Sequence, residues 1–203
     1  CSAAAALGEI GDKRALEPLI ALAKEPDADV ATAAAIGLGL LGDERCMGSL
    51  RALLKRRSVE MAETRLMAAD ALGRIVGGQE EGVYRSGSCP PTIIPALMAA
   101  ARDPNQNVRE RAYWALGQIK NKAVLSALVE GLKDDYFRAR VTAVKGLLNQ
   151  APADAVEPLK MAMRDPDWVV FQAAAGVARQ ITGKDPRLAL GRPVELPVAK
   201  TLP

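Results

Sequence analysis

The feature that most constrains this chain is a sequence period of 31 residues. A cation followed by an acid recurs at that interval at Arg102-Asp103, Lys133-Asp134 and Arg164-Asp165. Lys24-Glu25 is a further copy, and Lys55 follows Lys24 after 31 residues. An apolar residue stands eight positions before each of these five cations, and a leucine stands five positions before, at Leu19, Leu50, Leu97, Leu128 and Leu159. Positions three apart share one face of an α-helix, so the pattern predicts the buried stripe of one helix in every unit.

Another helix in each unit has its own columns of small and apolar residues. One column is alanine in all six copies, at Ala3, Ala34, Ala68, Ala112, Ala143 and Ala174. Four residues later comes an apolar column, at Leu7, Leu38, Leu72, Leu116, Leu147 and Ala178. Small residues at a fixed spacing let helix axes approach closely, as stacked helix pairs require. The sequence therefore predicts an all-α fold, a right-handed α-solenoid of about five to six stacked helix pairs.

Two motifs carry a resemblance to a known family. The run A-L-G-x-I-G-D at Ala6–Asp12 and the run D-P-x-x-x-V-R at Asp103–Arg109 resemble the short HEAT-like repeats of the phycobilisome-lyase type, over roughly residues 1–182. The resemblance implies a HEAT-like solenoid, in a family that includes scaffolds, adaptors and a few enzymes. Repeats of this family often carry an Asp and an Arg six residues apart.

That acid–arginine spacing is present in only part of the array. Asp103/Arg109 and Asp134/Arg140 match it, whereas Asp165/Phe171 and Glu25/Ala31 depart from it. A polar ladder along the whole array is therefore not expected. For the arginine column Arg65, Arg109 and Arg140, we expect structural pairing with the preceding acids, with partner binding as the alternative.

The period is broken in two places. A loop of Gly, Ser and Pro is inserted at residues 77–91 of the predicted solenoid, which spans residues 1–182. Its Tyr84 and Arg85 are candidate partner-binding residues, because loops on a rigid scaffold often carry specificity; the alternative is a neutral insertion. Residues 183–203 are rich in Pro but also apolar, which predicts an extended tail that packs on the last repeat.

The basic positions are the main candidates for binding a partner. Stacking would align the cation column along one edge of the solenoid, at Lys24, Lys55, Arg102, Lys133 and Arg164. These cations could instead complement the dipoles of the helices that they end. The cluster Lys55-Arg56-Arg57, with Arg65 nearby, is the strongest local basic patch, and a solvated charged face is its alternative interpretation.

The composition argues against catalysis. The chain contains no histidine, which removes imidazole-based triads and nearly all zinc or iron sites. The glycines of Gly37–Gly42 match G-x-G-x-x-G formally, but they follow an alanine run at the end of a helix, where carbonyls repel phosphate. The three cysteines form no CxxC pair. We therefore expect no metal, no cofactor and no catalytic residues.

The leading hypothesis is a non-catalytic protein–protein interaction scaffold or adaptor, forming part of a longer protein. Its partner would bind in a concave groove lined by the second helix of each unit, or along the basic edge. The first alternative is a nucleic-acid-binding HEAT-like protein, which a net charge of only +3 disfavours. The second is a non-catalytic subunit of a lyase-type enzyme. We expect a monomer without a membrane span and, by default, a cytoplasmic location.

The predicted role of the tail can be tested by truncation. Deleting residues 184–203 should lower the melting temperature of the protein, because the deletion uncovers the apolar face of the last helix pair. Thermal unfolding followed by circular dichroism measures this effect. An unchanged melting temperature would show that the tail does not cover that face.

Overall fold

The structure is a computed structural model of the chain, and it describes residues 2–77 and 89–183. Tyr84 and Arg85, most of the predicted insertion loop and residues 184–203 of the predicted tail lie outside these residues. Their proposed roles stay predictions.

The described residues form eleven α-helices and no strands. The helices are α1 Ser2–Ile10, α2 Leu16–Leu22, α3 Ala28–Leu41, α4 Met47–Leu54, α5 Ala62–Gly77, α6 Ile93–Ala100, α7 Gln106–Gly117, α8 Lys122–Gly131, α9 Phe137–Gly146, α10 Pro152–Ala162 and α11 Trp168–Thr182. Short 3-10 turns, Lys13–Ala15, Glu44–Cys46 and Leu147–Asn149, precede α2, α4 and α10. The first helix of each unit is odd-numbered, and the second helix is even-numbered.

The helices form two layers, as the repeat predicts. Each first helix contacts the next one, from α1 through α3, α5, α7 and α9 to α11, and each second helix packs on the first helix of the following unit. The leucine column of the second helices is buried from Leu19 to Leu159, and the column of the first helices is buried from Leu38 onward. Leu7 and Ala3 in α1 are exposed. The prediction of an all-α solenoid of stacked helix pairs is confirmed.

The turns within units combine a glycine that ends one helix with an aspartate that caps the next element, and the turns between units are capped differently. Gly11 and Gly42 end α1 and α3 with φ of 69° and 67°, a conformation that glycine adopts without strain. Asp12 and Asp43 then cap the 3-10 turns. Between units, the acid of the Asp-Pro and Glu-Pro pairs does not cap the next helix. The cap lies two residues later, as at Asn105, whose side chain accepts hydrogen bonds from the N–H groups of Asn107 and Val108.

Small residues bring the backbones of adjacent first helices into contact. A methyl group on Gly8 would overlap the backbone of Gly37, and one on Gly37 would overlap the carbonyl oxygen of Ala4. Further along, a Cβ on Gly117 would lie 2.8 Å from the Cα of Gly146. Gly37 and Gly39 of the sequence match at residues 37–42 therefore serve helix packing, whereas Gly42 ends α3.

The spacing of the two helix layers bears on the direction in which the solenoid curves. The first helices meet through their backbones, whereas the second helices α4, α6 and α8 contact one another over a shorter length. A stack of helix pairs curves toward the layer in which the helices lie closer together. We therefore infer that the solvent-facing side of the first helices is the inner face of the solenoid. The packing thus favours a groove along the first helices over the expected groove along the second helices, because small-residue columns shorten the spacing of the first-helix layer.

A matched pair of glycine substitutions tests this packing. Gly37→Ala should lower the free energy of unfolding by about 1–3 kcal/mol, because the new methyl group has no room beside α1. Gly48→Ala in α4 should leave it unchanged or raise it by up to about 1 kcal/mol, because nothing lies within 4 Å of the added Cβ and alanine favours helix. Urea unfolding measures both. Equal effects would contradict the proposed backbone contact.

Candidate functional site

Three arginines form a ladder of ion pairs along one edge of the solenoid. Arg65 donates to both carboxylate oxygens of Asp103, at 2.7 and 3.1 Å. Arg109 pairs in the same way with Asp134, at 2.8 Å for both bonds, and Arg140 with Asp165, at 2.8 and 3.1 Å. Each arginine lies at the start of a first helix, and its aspartate lies directly after the second helix of the same unit. We call this set of three pairs the ladder.

Each of the last two ladder arginines also holds the turn that precedes it. Arg109 Nη1 donates to the carbonyl oxygen of Asp103 at 3.1 Å, and Arg140 Nη1 donates to that of Asp134 at 2.9 Å. The expected ion pairs with the preceding acids are therefore wrong. Arg109 and Arg140 donate only to backbone carbonyl oxygens there, and their carboxylate partners are the following aspartates. A single guanidinium thus joins the turn on one side of its helix pair to the turn on the other.

The ladder is partly or fully removed from solvent. The side chains of Arg65 and Asp103 are 2% and 1% exposed, and Arg65 also donates to the carbonyl oxygens of Arg56 and Ser58. Burial pushes the pKa of Asp134 upward, but hydrogen bonds from Arg109 and from the Tyr136 N–H outweigh it and hold the pKa below its ordinary value. Arg65 was predicted to contact a partner. It cannot do so, because its guanidinium is buried and its donors are engaged.

The ladder is missing from the second unit. There the arginine position holds the buried Ala31, and the aspartate position holds Arg56. Arg56 turns back to the end of α2 and donates to the carbonyl oxygens of Ala23, Lys24 and Glu25. These carbonyls end a helix and carry partial negative charge, so the contact is a structural cap between units. Arg56, a predicted partner-binding residue, is therefore mainly occupied within the chain.

The remaining predicted basic residues are exposed. Four of them face solvent near the ends of second helices, namely Lys24, Lys55, Lys133 and Arg164. Arg102 is also exposed, but it pairs with Glu130 at 2.9 Å. The side chain of Arg57 is 57% exposed, and its Nη1 lies 3.9 Å from Asp103 Oδ2, an oxygen that Arg65 already contacts.

The inner face presents a group of side chains that the sequence analysis did not single out. In the first helices, residues two positions before or after the apolar column of Leu38, Leu72 and Leu116 point away from the second helices, because two helical residues span about 200°. Ile36, Asp70 and Trp114 occupy the position before that column in α3, α5 and α7, and Leu40 and Arg74 occupy the position after it. These residues adjoin one another across three successive first helices.

Trp114 is held between two elements at the centre of this face. Its ring lies against Gly73 of α5, where an added Cβ would overlap it. The guanidinium of Arg111 covers the ring at 5.4 Å from its centroid, a cation–π contact. Asp70 fixes that guanidinium at 3.0 Å and also accepts from Arg74 at 2.7 Å. The ring is therefore fixed in place while it stays half-buried and open to the inner face.

A small apolar cleft lies beside this cluster. It has a volume of about 160 Å³ and lies between α3 and α5. Ile36, Gly39, Leu40, Met67, Ala71 and Arg74 are among its lining residues. Leu40 is 39% exposed at its edge. A cleft of this size has room for one apolar side chain, and it lies next to an aromatic ring and two guanidinium groups. We call the cleft and Trp114 with its contacts the inner-face site.

The sequence contained a signal for the inner-face site. The position two residues before the leucine column holds Ile36 in the second unit, Asp70 in the third and Trp114 in the fourth. Within a column that faces solvent, a tryptophan and an isoleucine are unexpected. The signal becomes visible only when the columns are aligned and their direction relative to the core is known.

The described residues contain no group of three or more Cys, Asp or Glu side chains that could hold a metal ion. Within the same ranges, no helix is long and apolar enough to cross a membrane. Cys46 is buried and its thiol contacts the carbonyl oxygen of Leu38 at 3.8 Å; burial raises its pKa to about 12, which disfavours the reactive thiolate. Burial also raises the pKa of the half-buried Cys89 thiol.

Comparison with known proteins identifies the same repeat. Residues 60–140 match the family of HEAT repeats, and residues 1–25 match the family described as PBS lyase HEAT-like repeat. A search of curated proteins found no match.

Solved structures show the same fold at low sequence identity. The complex of CpcE and CpcF of phycocyanin lyase from Nostoc sp. PCC7120 matches with a TM-score of 0.65, 22% identity and coverage of 83% of this chain. The match spans 65% of the length of that chain. A designed armadillo repeat protein in complex with the peptide (KR)4 has a TM-score of 0.60 and 16% identity, covering 89% of this chain and 91% of that chain. An archaeal HEAT-like repeats protein from Thermococcus onnurineus NA1 has a TM-score of 0.59 and 18% identity, covering 88% and 74%.

The ladder predicts a large difference between two neighbouring arginines. Arg65→Ala should lower the free energy of unfolding by about 3–5 kcal/mol, because it leaves the Asp103 carboxylate buried without its partner. Arg57→Ala removes an exposed guanidinium near the same carboxylate and should cost less than about 1 kcal/mol. Urea unfolding of the two variants measures this difference. Equal losses would contradict the assigned roles.

Proposed function

Because the chain belongs to the HEAT-like repeat family, we propose that it is a non-catalytic scaffold that binds a segment of a partner protein on its inner face. Repeats of this fold are a common protein-interaction scaffold. The observation that carries the proposal is the inner-face site. It combines a fixed aromatic ring, an apolar cleft and two guanidinium groups on the concave side of a rigid stack.

The inner-face site has the composition of a protein-binding hot spot. Trp and Arg are the residues most enriched at such positions, and a pocket for one apolar side chain supplies the anchor. Because Gly73 and Arg111 already hold the Trp114 ring, little side-chain entropy is lost when a partner packs on it. The relatives support a protein partner, since CpcE and CpcF form a complex and the designed armadillo protein holds a peptide.

The charge arrangement favours a protein partner over nucleic acid. The three ladder arginines are paired with aspartates within the chain, and Arg56 is engaged with carbonyl oxygens. These cations are therefore not available to a phosphate backbone, whose binding depends on many unpaired Lys and Arg side chains. The inner-face site itself includes the carboxylate of Asp70, and Glu63 and Glu110 lie on the same helices.

The proposal is tested with peptides selected on the wild-type protein from a random peptide library. Peptides that bind the wild type should bind Leu40→Glu at least about ten-fold more weakly, because the new carboxylate stands at the edge of the apolar cleft. Fluorescence anisotropy with a labelled selected peptide measures the affinity.

The matched control is Met161→Glu. Met161 is 45% exposed on the second helix α10, on the opposite layer from Leu40, which is 39% exposed. This variant should keep its affinity within about two-fold of the wild type. Weaker binding to Met161→Glu together with unchanged binding to Leu40→Glu would place the partner on the outer layer and contradict the proposal.

A further inference from the structure

The second unit, which lacks the Arg–Asp pair of the ladder, forms a separate basic surface away from the inner-face site. In the third, fourth and fifth units an arginine at the start of the first helix neutralises the aspartate after the second helix. In the second unit Ala31 and Arg56 occupy these two positions, so the aspartate is absent and a cation takes its place. At this unit the edge therefore carries one positive charge where the following units carry a neutral Arg–Asp pair.

The charge balance can be followed along the edge. Around Asp134, the guanidinium of Arg109 contacts two carboxylates, those of Asp134 and Asp135. Around Asp165 there is the single partner Arg140. Around Asp103 the arginines outnumber the carboxylates. Arg65 already donates to both carboxylate oxygens, and the exposed Arg57 is an additional cation. Positive charge is therefore in excess at the N-terminal end of the ladder.

A recess lies where this excess occurs. It has a volume of about 430 Å³ and is lined by Lys24, Pro26, Arg56, Arg57, Ser58 and Met61. A neighbouring depression of about 350 Å³ shares Lys24 and Arg56 and continues between α2 and α4. Lys55, which ends α4, is exposed next to Arg56 in the sequence. We call the first of these cavities the ladder-gap recess.

Arg56 gives the recess a fixed floor. Its guanidinium is held by three carbonyl oxygens at the end of α2, so its position is set by the packing of the first two units. Arg57 and Lys24 extend into solvent on either side and keep donors for an external acceptor. Pro26 and Met61 add apolar surface between the cations. The lining thus combines cations with apolar contacts, which suits a peptide better than a bare anion.

We propose that the ladder-gap recess binds an acidic segment of a protein partner, with Asp or Glu carboxylates of that segment contacting Lys24, Lys55 and Arg57. Exposed Glu25, Asp27 and Glu60 lie around this region and would repel a continuous phosphate backbone. Carboxylates separated along a peptide can meet the cations while they avoid these acids. The site is separate from the inner-face site, so the two proposals fail independently.

The probe is a short fluorescein-labelled peptide of Glu and Leu, compared with the same peptide carrying Gln in place of Glu. The wild-type protein should bind the Glu peptide and not the Gln peptide, with an affinity that falls as salt is added. The double variant Lys55→Gln with Arg57→Gln should bind the Glu peptide at least about ten-fold more weakly. Fluorescence anisotropy measures all of these affinities.

The matched control removes the same two charges elsewhere on the same edge. Lys133→Gln with Arg164→Gln changes the positions that correspond to Lys55 in the fourth and fifth units, where aspartates balance the arginines. Its affinity should stay within about two-fold of the wild type. Thermal unfolding checks that both variants fold. If the recess variant melts early, Lys24→Gln with Lys55→Gln replaces it, since both side chains are exposed.

Three results would overturn the proposal. The first is an absence of binding between the wild type and the Glu peptide at low salt. The second is an equal loss of affinity in the recess variant and its control, which would show a general charge effect. The third is a duplex or single-stranded DNA that binds more tightly than the Glu peptide and depends on the same two residues. That result would assign the recess to nucleic acid.

Discussion

The contact between the backbones of neighbouring first helices is the constraint on which the rest of the structure depends. Alanine and glycine columns remove the side chains that would hold these helices apart. The second helices keep their larger leucines and are spaced more widely, so the stack has an inner and an outer side. The inner-face site follows from the same contact. Trp114 lies on this face because Gly73 leaves room for its ring against the backbone of α5.

Much of the fold follows from columns in the sequence, because burial repeats with the period of the chain. The alanines at 34, 68, 112, 143 and 174 are all fully buried, and so are the leucines at 38, 72, 116 and 147. The direction of curvature could not be obtained in the same way. It depends on which layer is spaced more closely, and both layers carry regular apolar columns. Only the contacts made by Gly37 and Gly117 distinguish them.

The ladder shows a different limit of sequence reasoning. With a period of 31 residues, an aspartate six residues before an arginine and one 25 residues after it belong to the same column. Arg109 has both, at Asp103 and Asp134, so its spacing alone cannot identify the partner. The ends of the column contain the answer. Arg65 has Val59 at the earlier position, and Asp165 is followed six residues later by Phe171, so only pairing with the following aspartate leaves neither unpaired. The inner-face site has no such charge pattern in the sequence, so Ile36 and Trp114 stand out only once the solvent-facing side of the first helices is known.

The two kinds of link between units also bear on how the protein opens locally. From the third unit to the fifth, each guanidinium connects a carboxylate to a turn, and the turns at Asp103 and Asp134 each contribute to two rungs. Opening one of these units therefore breaks hydrogen bonds that it shares with its neighbour. Amide hydrogens in α5 to α10 should consequently become exchangeable together. The first unit is joined to the second differently, through the carbonyl contacts of Arg56 and the packing of α1 on α3. It can detach while the ladder stays intact, which would make the α1–α2 end the first part of the solenoid to fluctuate.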